Sequence, residues 1–227
     1  MPTDNTALND TFLKRYPLVH FNKGDILLRP GEINHYLYYI KSGVCACSII
    51  HLDGNLIIPL LLRKDELIGA RMELLGVKEN RSLSEVSAHT DVEVYKIPIR
   101  DIRDLLQTDF EAYKRLARSV ILSLDRVIET SNMRGKGNSV MIVCNTLLHE
   151  MSSEGCPEGL YRLSDYFTIT DLSRILQLHR VTVSRIMHGL VEKKVLEKRG
   201  RVWYITDRKK LEKYQQGILT LNPKAIS

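Results

Sequence analysis

Between residues 180 and 188, side chains that can bond the edges of DNA bases recur at helical spacing. Val181, Ser184 and Arg185 lie on one face of an α-helix, because they follow the i, i+3, i+4 pattern. An arginine can bond a guanine edge through two N–H groups, a serine can bond several bases, and a valine can pack against a thymine methyl group. These residue types predict a helix that reads the major groove. Its predicted DNA contacts are Arg180, Val181, Thr182, Ser184, Arg185 and His188.

The same stretch predicts the two helices that must hold this face in place. The inward side of the second helix should consist of Val183, Ile186, Met187 and Leu190. A first helix, capped by Thr170 with Asp171 in its first turn, should precede it. Its buried residues should be Leu172, Ile175 and Leu176. With a turn at residues 177–179, the pattern is typical of a helix-turn-helix, although a solvated helix pair of no special role would show the same spacing.

A short hairpin is predicted after the helix pair. Val195–Lys198 and Val202–Ile205 read as strands, and Arg199-Gly200-Arg201 forms the turn between them. A hairpin with a basic tip has the shape of a DNA-binding wing. Arg199 and Arg201 would then contact phosphates, which positions a protein on DNA without reading sequence. A closing helix is predicted from Asp207.

The charge of the chain is concentrated in this part. Of the 227 residues, 26% are charged and 44% are hydrophobic, as in ordinary soluble globular proteins of one or two domains. Residues 1–137 hold 19 Lys and Arg against 18 Asp and Glu, whereas residues 138–227 hold 14 against 9. The net charges are therefore +1 and +5. A positive C-terminal part favours phosphate binding, although many surfaces are mildly basic.

The remaining composition argues against a membrane protein, a metalloprotein and an enzyme. The apolar runs are too short for a bilayer and the N-terminus lacks a signal-peptide pattern, so we expect a cytoplasmic protein without membrane contact. The seven histidines show no metal-ligand spacing, and neither a phosphate loop nor a nucleophile elbow is present. Cys45 and Cys47 face one side of a strand, where packing and a redox or metal pair are both conceivable; Cys156 lies in a turn where a thiol could react.

The first hundred residues have the texture of a β-domain. Short apolar or alternating runs are separated by glycine turns, among which Asp53-Gly54 is the strongest hairpin signal. The predicted strands are Val19–Phe21, Ile26–Leu28, Tyr36–Ile40, Val44–His51, Leu56–Leu62, Ser84–Ser87 and Val92–Ile97. Many short strands at regular spacing predict an antiparallel sandwich or barrel.

A long helix is predicted over Asp101–Ser131, which contains neither glycine nor proline. Within it a heptad seam is formed by Tyr113, Ala117, Val120, Leu124 and Val127. Such a seam predicts two helices packed along their length, either in a homodimer or within the chain itself. Gly135-Lys136-Gly137 should interrupt the helix as a hinge, and Asn138 or Ser139 should cap the next helix, Val140–Met151.

The order of these parts resembles the Crp/Fnr family of bacterial transcription regulators. The stretch from His179 to Arg185 is similar to the family pattern Ser-Arg-Glu-Thr-Val-Ser-Arg. The spaced pattern Gly24-Asp25, Gly31-Glu32, Tyr39-Ile40 and Gly43 provides a second match. The resemblance implies an α+β fold with an N-terminal antiparallel β-roll of the cyclic-nucleotide-binding jelly-roll type, a long dimerisation helix and a C-terminal winged helix-turn-helix. The corresponding domains are a β-roll over residues 1–100, a dimerisation helix over 101–134, a hinge at 135–137 and a DNA-binding domain over 138–227.

The resemblance implies a dimeric, effector-responsive regulator that binds a palindromic operator on double-stranded DNA and, as an activator, RNA polymerase. Val181 replaces the family's usual glutamate, so an A·T-rich half-site is expected; CprK-type halorespiration regulators have a similar stretch. The alternative from another class is a ligand-sensing module that regulates a protein partner through its winged helix.

The effector residues depart from the cyclic-AMP pattern of the family. Gly69 is followed by Ala70 instead of the ribose-binding glutamate, and Val127-Ile128 replaces the pair that meets the adenine. Arg81-Ser82 matches the phosphate-binding pair, although Arg81 could equally be a surface arginine. The expected effector residues are Gly69, Arg81, Ser82, Leu124, Val127 and Ile128. Cyclic AMP is therefore not expected to be the effector, and no cysteine before Cys45 is present for the N-terminal iron–sulfur cluster of oxygen-sensing relatives. No cofactor is identified.

Overall fold

A computed structural model describes residues 10–50, 54, 56–69, 81–136, 138–164 and 166–221, with only the backbone described over 129–136. The chain divides into two compact units, Met1–Val127 and Ile128–Ser227. The first carries the predicted β-domain and the second carries the predicted helix-turn-helix.

The first unit contains two antiparallel four-stranded sheets, as predicted. The strands are β1 (Leu18–Phe21), β2 (Ile26–Leu28), β3 (Tyr36–Ser42), β4 (Cys45–Ile50), β5 (Leu56–Leu62), β6 (Leu67–Ile68), β7 (Glu85–Ala88) and β8 (Val92–Pro98). One sheet has the order β1-β8-β3-β6 and the other has the order β2-β7-β4-β5. The two-residue strand β6 was not predicted, because so short a strand has no periodicity to detect.

The main core of this unit draws residues from both sheets, including Ile40 and Val94 from one and Cys45 and Val86 from the other. Strand β3 alternates, so Leu37 and its neighbours on the opposite face belong to a second cluster with helix residues. Both faces of β3 are therefore buried, one in the core between the sheets and the other against helix residues.

Tight turns connect these strands. At Gly43, φ is +88° and an added Cβ would lie only 2.9 Å from the Cα of Val92, so a side chain would force the strands apart. At the predicted β4–β5 hairpin, Gly54 has φ of +81° and the flanking strands pair antiparallel. Asp53 lies outside the described residues.

The single helix predicted over Asp101–Ser131 is two helices in the structure. After α1 (Asp10–Leu13), helix α2 covers Ile99–Thr108 and α3 covers Phe110–Lys136. The break occurs at Asp109, whose backbone is extended and whose carboxylate accepts hydrogen bonds from Glu111 N (2.8 Å) and Ala112 N (3.1 Å). Asp109 therefore caps α3, which the uninterrupted apolar pattern concealed.

Helix α3 also ends later than the sequence predicted. It continues through Gly135 and Lys136, because a glycine weakens a helix without forbidding it. Two of the three predicted hinge residues are thus helical, and Gly137 lies outside the described residues. Helix α4 (Ser139–Glu150) follows and is capped by Asn138, whose side chain accepts from Met141 N.

The second unit adds a small antiparallel sheet in the order β11-β12-β10-β9 to its helices. Its strands are β9 (Met151–Ser152), β10 (Tyr161–Leu163), β11 (Leu196–Arg199) and β12 (Val202–Ile205). The remaining helices are α5 (Ile169–Leu176), α6 (Arg180–Glu192) and α7 (Arg208–Gln215). The sequence did not predict β9 and β10. Met151, predicted as the end of a helix, is the first residue of β9 instead.

Candidate DNA interface and effector cavity

The helix-turn-helix begins at Thr168, and the prediction of Thr170 as its cap was wrong. The hydroxyl of Thr168 accepts from Asp171 N (3.1 Å), and the carboxylate of Asp171 accepts from Thr168 N (3.2 Å). This reciprocal capping box requires a spacing of three residues, which Thr168 has and Thr170 lacks. Gln177 then turns the chain with φ of +52°, and His179 caps α6 by accepting from Val181 N (3.3 Å).

Helix α6 has the two predicted faces. The predicted inward residues are all buried: Val183, Ile186, Met187 and Leu190. On the other face Val181 is 49% exposed, Arg185 and His188 are exposed, and Ser184 is half-buried. Among the first helix's predicted residues, Leu172 and Leu176 are buried and Ile175 is half-buried.

Two arginine side chains on α6 have no partner among the described residues. The guanidinium groups of Arg180 and Arg185 form neither an ion pair nor a hydrogen bond with any part of the chain that the structure describes. Near them, His188 Nδ1 lies 3.0 Å from the carbonyl oxygen of Ser184, which can only accept, so Nδ1 donates. The exposed face of α6 therefore offers two guanidinium groups, a hydroxyl and an imidazole around one small apolar side chain.

The wing pairs β11 with β12, and its two predicted phosphate contacts differ. Arg199 donates to both carboxylate oxygens of Glu197, from Nε (2.9 Å) and Nη2 (3.0 Å). Its guanidinium also lies over the ring of Tyr204, 5.1 Å from the centroid. Arg201 has no such partner among the described residues. The sequence placed both arginines at the tip without revealing that one is paired.

A cavity of about 360 Å³ lies within the first unit, between the β-roll and helix α3. Most of its wall is apolar, with Leu28, Leu60, Leu62, Leu67, Ile68 and Val86. Its polar groups come from Asn34, Arg81, Ser82, Ser84, Ser119 and Ser123. An apolar chamber of this size with a few polar groups is typical of a small-molecule site.

The structure brings half of the expected effector residues to this cavity. Gly69, Arg81 and Ser82 line it. The other three, Leu124, Val127 and Ile128, are not among its lining residues. Successive residues of a helix are rotated by about 100°, so the side of α3 that bears Ser119 and Ser123 differs from the side that bears Leu124. The sequence signal for the two serines was their i, i+4 spacing beside the buried Leu116, which the seam residues obscured.

The polar end of the cavity is built around Arg81 and Gly69. Arg81 donates from Nη1 to the carbonyl oxygen of Gly31 (2.9 Å), and Ser82 donates to the carbonyl oxygen of Ser84 (2.6 Å). Gly69 has φ of +89°, and a Cβ there would come 2.8 Å from the carbonyl oxygen of Tyr36 and collide with the amide of Asn34. A glycine is therefore needed at this wall.

A second guanidinium near the cavity is neutralised by a carboxylate. Arg126 of α3 forms an ion pair with Glu66 and donates to Ser123 Oγ (3.2 Å) and to the carbonyl oxygen of Leu61 (3.4 Å). Arg126 is not itself among the described lining residues, of which Arg81 is the charged one. The pair also ties α3 to the β-roll.

Three thiols are poor nucleophiles: the buried Cys45 and Cys144, and Cys47, which is half-buried at the cavity wall. Burial raises the pKa of Cys45, Cys47 and Cys144 each to about 12, and the nearby Glu66 carboxylate contributes at Cys47. Thiols with such pKa values stay protonated at neutral pH, which favours the packing interpretation of Cys45 and Cys47. Cys156 is a half-buried free thiol.

Helix α3 also carries a large exposed apolar surface. The exposed apolar residues on the side of Leu124 are Phe110, Tyr113, Val120, Ile121, Leu124 and Ile128. Val120 also lines the cavity, and Leu122 is exposed on the side opposite Leu124. By contrast, Ala112 and Leu116 are buried against the unit's own core. Most of the predicted seam is therefore uncovered within one chain. A contiguous exposed apolar surface usually marks an interaction site. Among the helices of the described residues, none has both the length and the apolar composition of a membrane span.

These features define a class of protein: a winged helix-turn-helix DNA-binding unit joined to a β-roll with a ligand-sized cavity. Two family models match the chain, the cyclic nucleotide-binding domain over residues 18–109 and the Crp-like helix-turn-helix domain over residues 143–214. The chain is 25% identical over 204 residues to the cAMP-activated global transcriptional regulator CRP of Salmonella typhimurium, with coverage of 88% of this chain and 92% of the relative.

Solved structures show the same fold. FixK2 from Bradyrhizobium japonicum superposes with a TM-score of 0.75 at 17% identity, covering 91% of this chain and 99% of that chain. CprK complexed with OCPA has a TM-score of 0.64 at 17% identity, covering 88% and 91%. The chain belongs to the Crp/Fnr family of transcription regulators, with a cyclic-nucleotide-binding-type domain and a helix-turn-helix DNA-binding domain. The predicted family and fold class are confirmed.

Proposed function

We propose that the chain is a dimeric, effector-controlled regulator that binds a palindromic, A·T-rich operator through α6. The observation that carries the proposal is the exposed face of α6, on which Arg180 and Arg185 are unpaired within the described residues and surround an exposed Val181. An unpaired arginine gives its full charge and all its donors to DNA. A valine supplies a methyl contact to thymine and no acceptor for a cytosine amino group.

The dimer is proposed from helix α3. Tyr113, Val120 and Leu124 lie at heptad spacing and are exposed in the single chain, so a second copy would bury them. A closed two-fold dimer would present two copies of α6, and hence a palindromic site. If the protein activates transcription, RNA polymerase is a further partner. The free cysteines fit the reducing cytoplasm as its location.

The effector is proposed to be a compact, largely apolar molecule with one anionic or polar group. Apolar side chains form most of the cavity wall, and Arg81 with Ser82 supplies the polar end. Ser119 and Ser123 belong to α3, the helix of the proposed dimer, so a ligand that bonds them would favour one position of this helix. Control then follows as a shift between two arrangements that bind the effector with different affinity.

The alternative is a ligand-sensing module whose winged helix binds a protein. Unpaired arginines on α6 and on the wing favour DNA over such a partner. The selection of bound sequences from a random DNA pool, with and without cell extract, tests the two directly. Recovery of a palindromic A·T-rich site supports the proposal. The protein partner is supported if no sequence is enriched and the retention of DNA does not depend on salt.

Arg185→Ala is expected to weaken binding to the selected operator by about 1–3 kcal/mol and to relax preference at one position in each half-site. The reason is the loss of a bidentate base contact. Fluorescence anisotropy with the operator and its single-base variants measures both effects. Arg100→Ala, which removes the same charge from an exposed site in the first unit, is the matched control and should change neither. A uniform loss for every base variant would show that Arg185 contacts phosphate instead.

Cyclic AMP at millimolar concentration is expected to give no binding heat and no gain in DNA affinity. The cavity supplies Arg81 for an anion, but the sequence lacks the ribose-binding glutamate, with Ala70 outside the described residues. Anilinonaphthalene sulfonate, an aromatic anion, should instead bind saturably. Arg81→Gln should weaken this binding, and Arg100→Gln should not. Saturable heat with cyclic AMP would contradict the proposed effector class.

A further inference from the structure

The wing has two chemically different faces. Glu197 pairs in register with Tyr204, and Arg199 lies two residues along the same strand, so these three side chains share one face. Lys198 pairs with Trp203 on the other face, where its ammonium lies 5.2 Å from the ring centroid and the indole is buried. The strand register thus brings a carboxylate and an aromatic ring to the first arginine of the tip.

The contact between Glu197 and Arg199 uses the geometry in which a guanidinium binds a carboxylate or a phosphate best. Two roughly parallel N–H···O bonds of 2.9 and 3.0 Å join the groups, and the stacked Tyr204 ring supports the guanidinium. The bonds lower the pKa of Glu197 and raise that of Arg199, so both groups stay charged at neutral pH. The side chain of Arg199 is 54% exposed and that of Glu197 is 47% exposed, which leaves the pair accessible to DNA.

A phosphate that approached Arg199 would meet a compensated charge. Two of its five donors are occupied, and the carboxylate of Glu197 repels a second anion. Counterions are released from DNA when cationic side chains of the protein neutralise phosphates. A cation that is already paired with a carboxylate of the protein adds little to this release. Arg201, two residues further along the tip, has no such partner among the described residues.

We propose that Glu197 limits the sequence-independent DNA affinity of the wing by holding Arg199 away from phosphate, and that Arg201 makes the wing's phosphate contact. This inference rests on the proposed DNA-binding function. Its consequence is that a single carboxylate sets how much of the binding free energy is independent of sequence, and therefore how far base contacts from α6 determine where the protein binds.

The test measures affinity for a labelled duplex of random sequence against salt concentration, because non-specific binding requires neither operator nor effector. The full-length chain and the variants Glu197→Gln, Arg199→Gln, Arg201→Gln and the double variant Glu197→Gln/Arg199→Gln are compared. Glu197→Gln should bind several-fold more tightly at low salt, with a salt slope steeper by about 0.9 for each wing on the DNA. Arg199→Gln alone should change the slope much less than Arg201→Gln does.

Two comparisons show whether the effect belongs to Arg199. The double variant should return to the parental slope, because it removes the arginine that Glu197→Gln releases. Glu158→Gln, the same substitution at an exposed residue before β10, is the control for net charge and should leave the slope unchanged. Circular dichroism establishes that each variant is folded.

A parental slope in folded Glu197→Gln, or equal losses from Arg199→Gln and Arg201→Gln, would overturn the inference while the DNA-binding proposal stood. Absence of any salt-dependent DNA binding by the parent chain would overturn both.

Discussion

Leu124→Glu is expected to yield monomers that have lost nearly all operator affinity. Leu124 is the fourth of the five residues of the α3 seam and is 55% exposed in the single chain. In the proposed dimer, the variant would place two carboxylates opposite each other in an apolar interface. The loss combines an apolar contact of about 2 kcal/mol per side chain with the cost of desolvating two like charges. Sedimentation velocity measures the assembly state, and anisotropy with the operator measures the loss of binding.

Leu122→Glu is the matched control for this experiment. Leu122 is on the same helix and is 49% exposed, but two residues of helix rotate it to the side opposite Leu124. The control should therefore remain a dimer with parental operator affinity. A dimeric Leu124→Glu variant would refute the assignment of this seam as the subunit interface.

Val181→Glu is expected to change which base pair the protein prefers. The glutamate removes the proposed methyl contact and introduces an acceptor, so preference should move from a T·A pair toward a pair that presents a cytosine amino group. The change at that position should amount to about 1–3 kcal/mol between the two pairs. Selection from a random DNA pool, followed by anisotropy with the two sites, measures it.

Val191→Glu provides the comparison, because it introduces the same side chain on α6 at an exposed position far from the first turn. It should keep the parental sequence preference and lose a uniform amount of affinity. If Val181→Glu also keeps the parental preference, Val181 does not face the bases and the placement of α6 in the groove is wrong.

The sequence by itself determined the features that depend on local periodicity. The inward face of α6, with Val183, Ile186 and Leu190, follows from helical geometry and is buried as predicted. The antiparallel sheets follow from alternation and turn residues, since both act over a few neighbouring positions. The order of the predicted parts, with the motif from His179 to Arg185 as its most specific piece, indicated the family, and the matching family models confirm it.

Other features depend on which of several local choices the folded chain makes. Thr168 and Thr170 can both accept a hydrogen bond at a helix start, and the folded backbone begins the helix after Thr168, which forms the capping box with Asp171. Likewise the sequence presents Asp109 as one more polar residue of a long helix, whereas in the structure its carboxylate accepts a hydrogen bond from Glu111 N in the next helix. Local sequence leaves such alternatives within about 1 kcal/mol of each other, so the packing of the whole unit decides between them.

Contacts between distant segments were determined only by the tertiary structure. The cavity joins Asn34, Arg81 and Ser123, which no local pattern relates, and the same helix carries Leu124 on a different side. On the wing, the sequence showed two arginines at a tip, and the strand register with the side-chain rotamers paired one of them with Glu197. Periodicity specifies which face a side chain occupies, whereas its partner depends on the three-dimensional arrangement of all the groups that could compete for it.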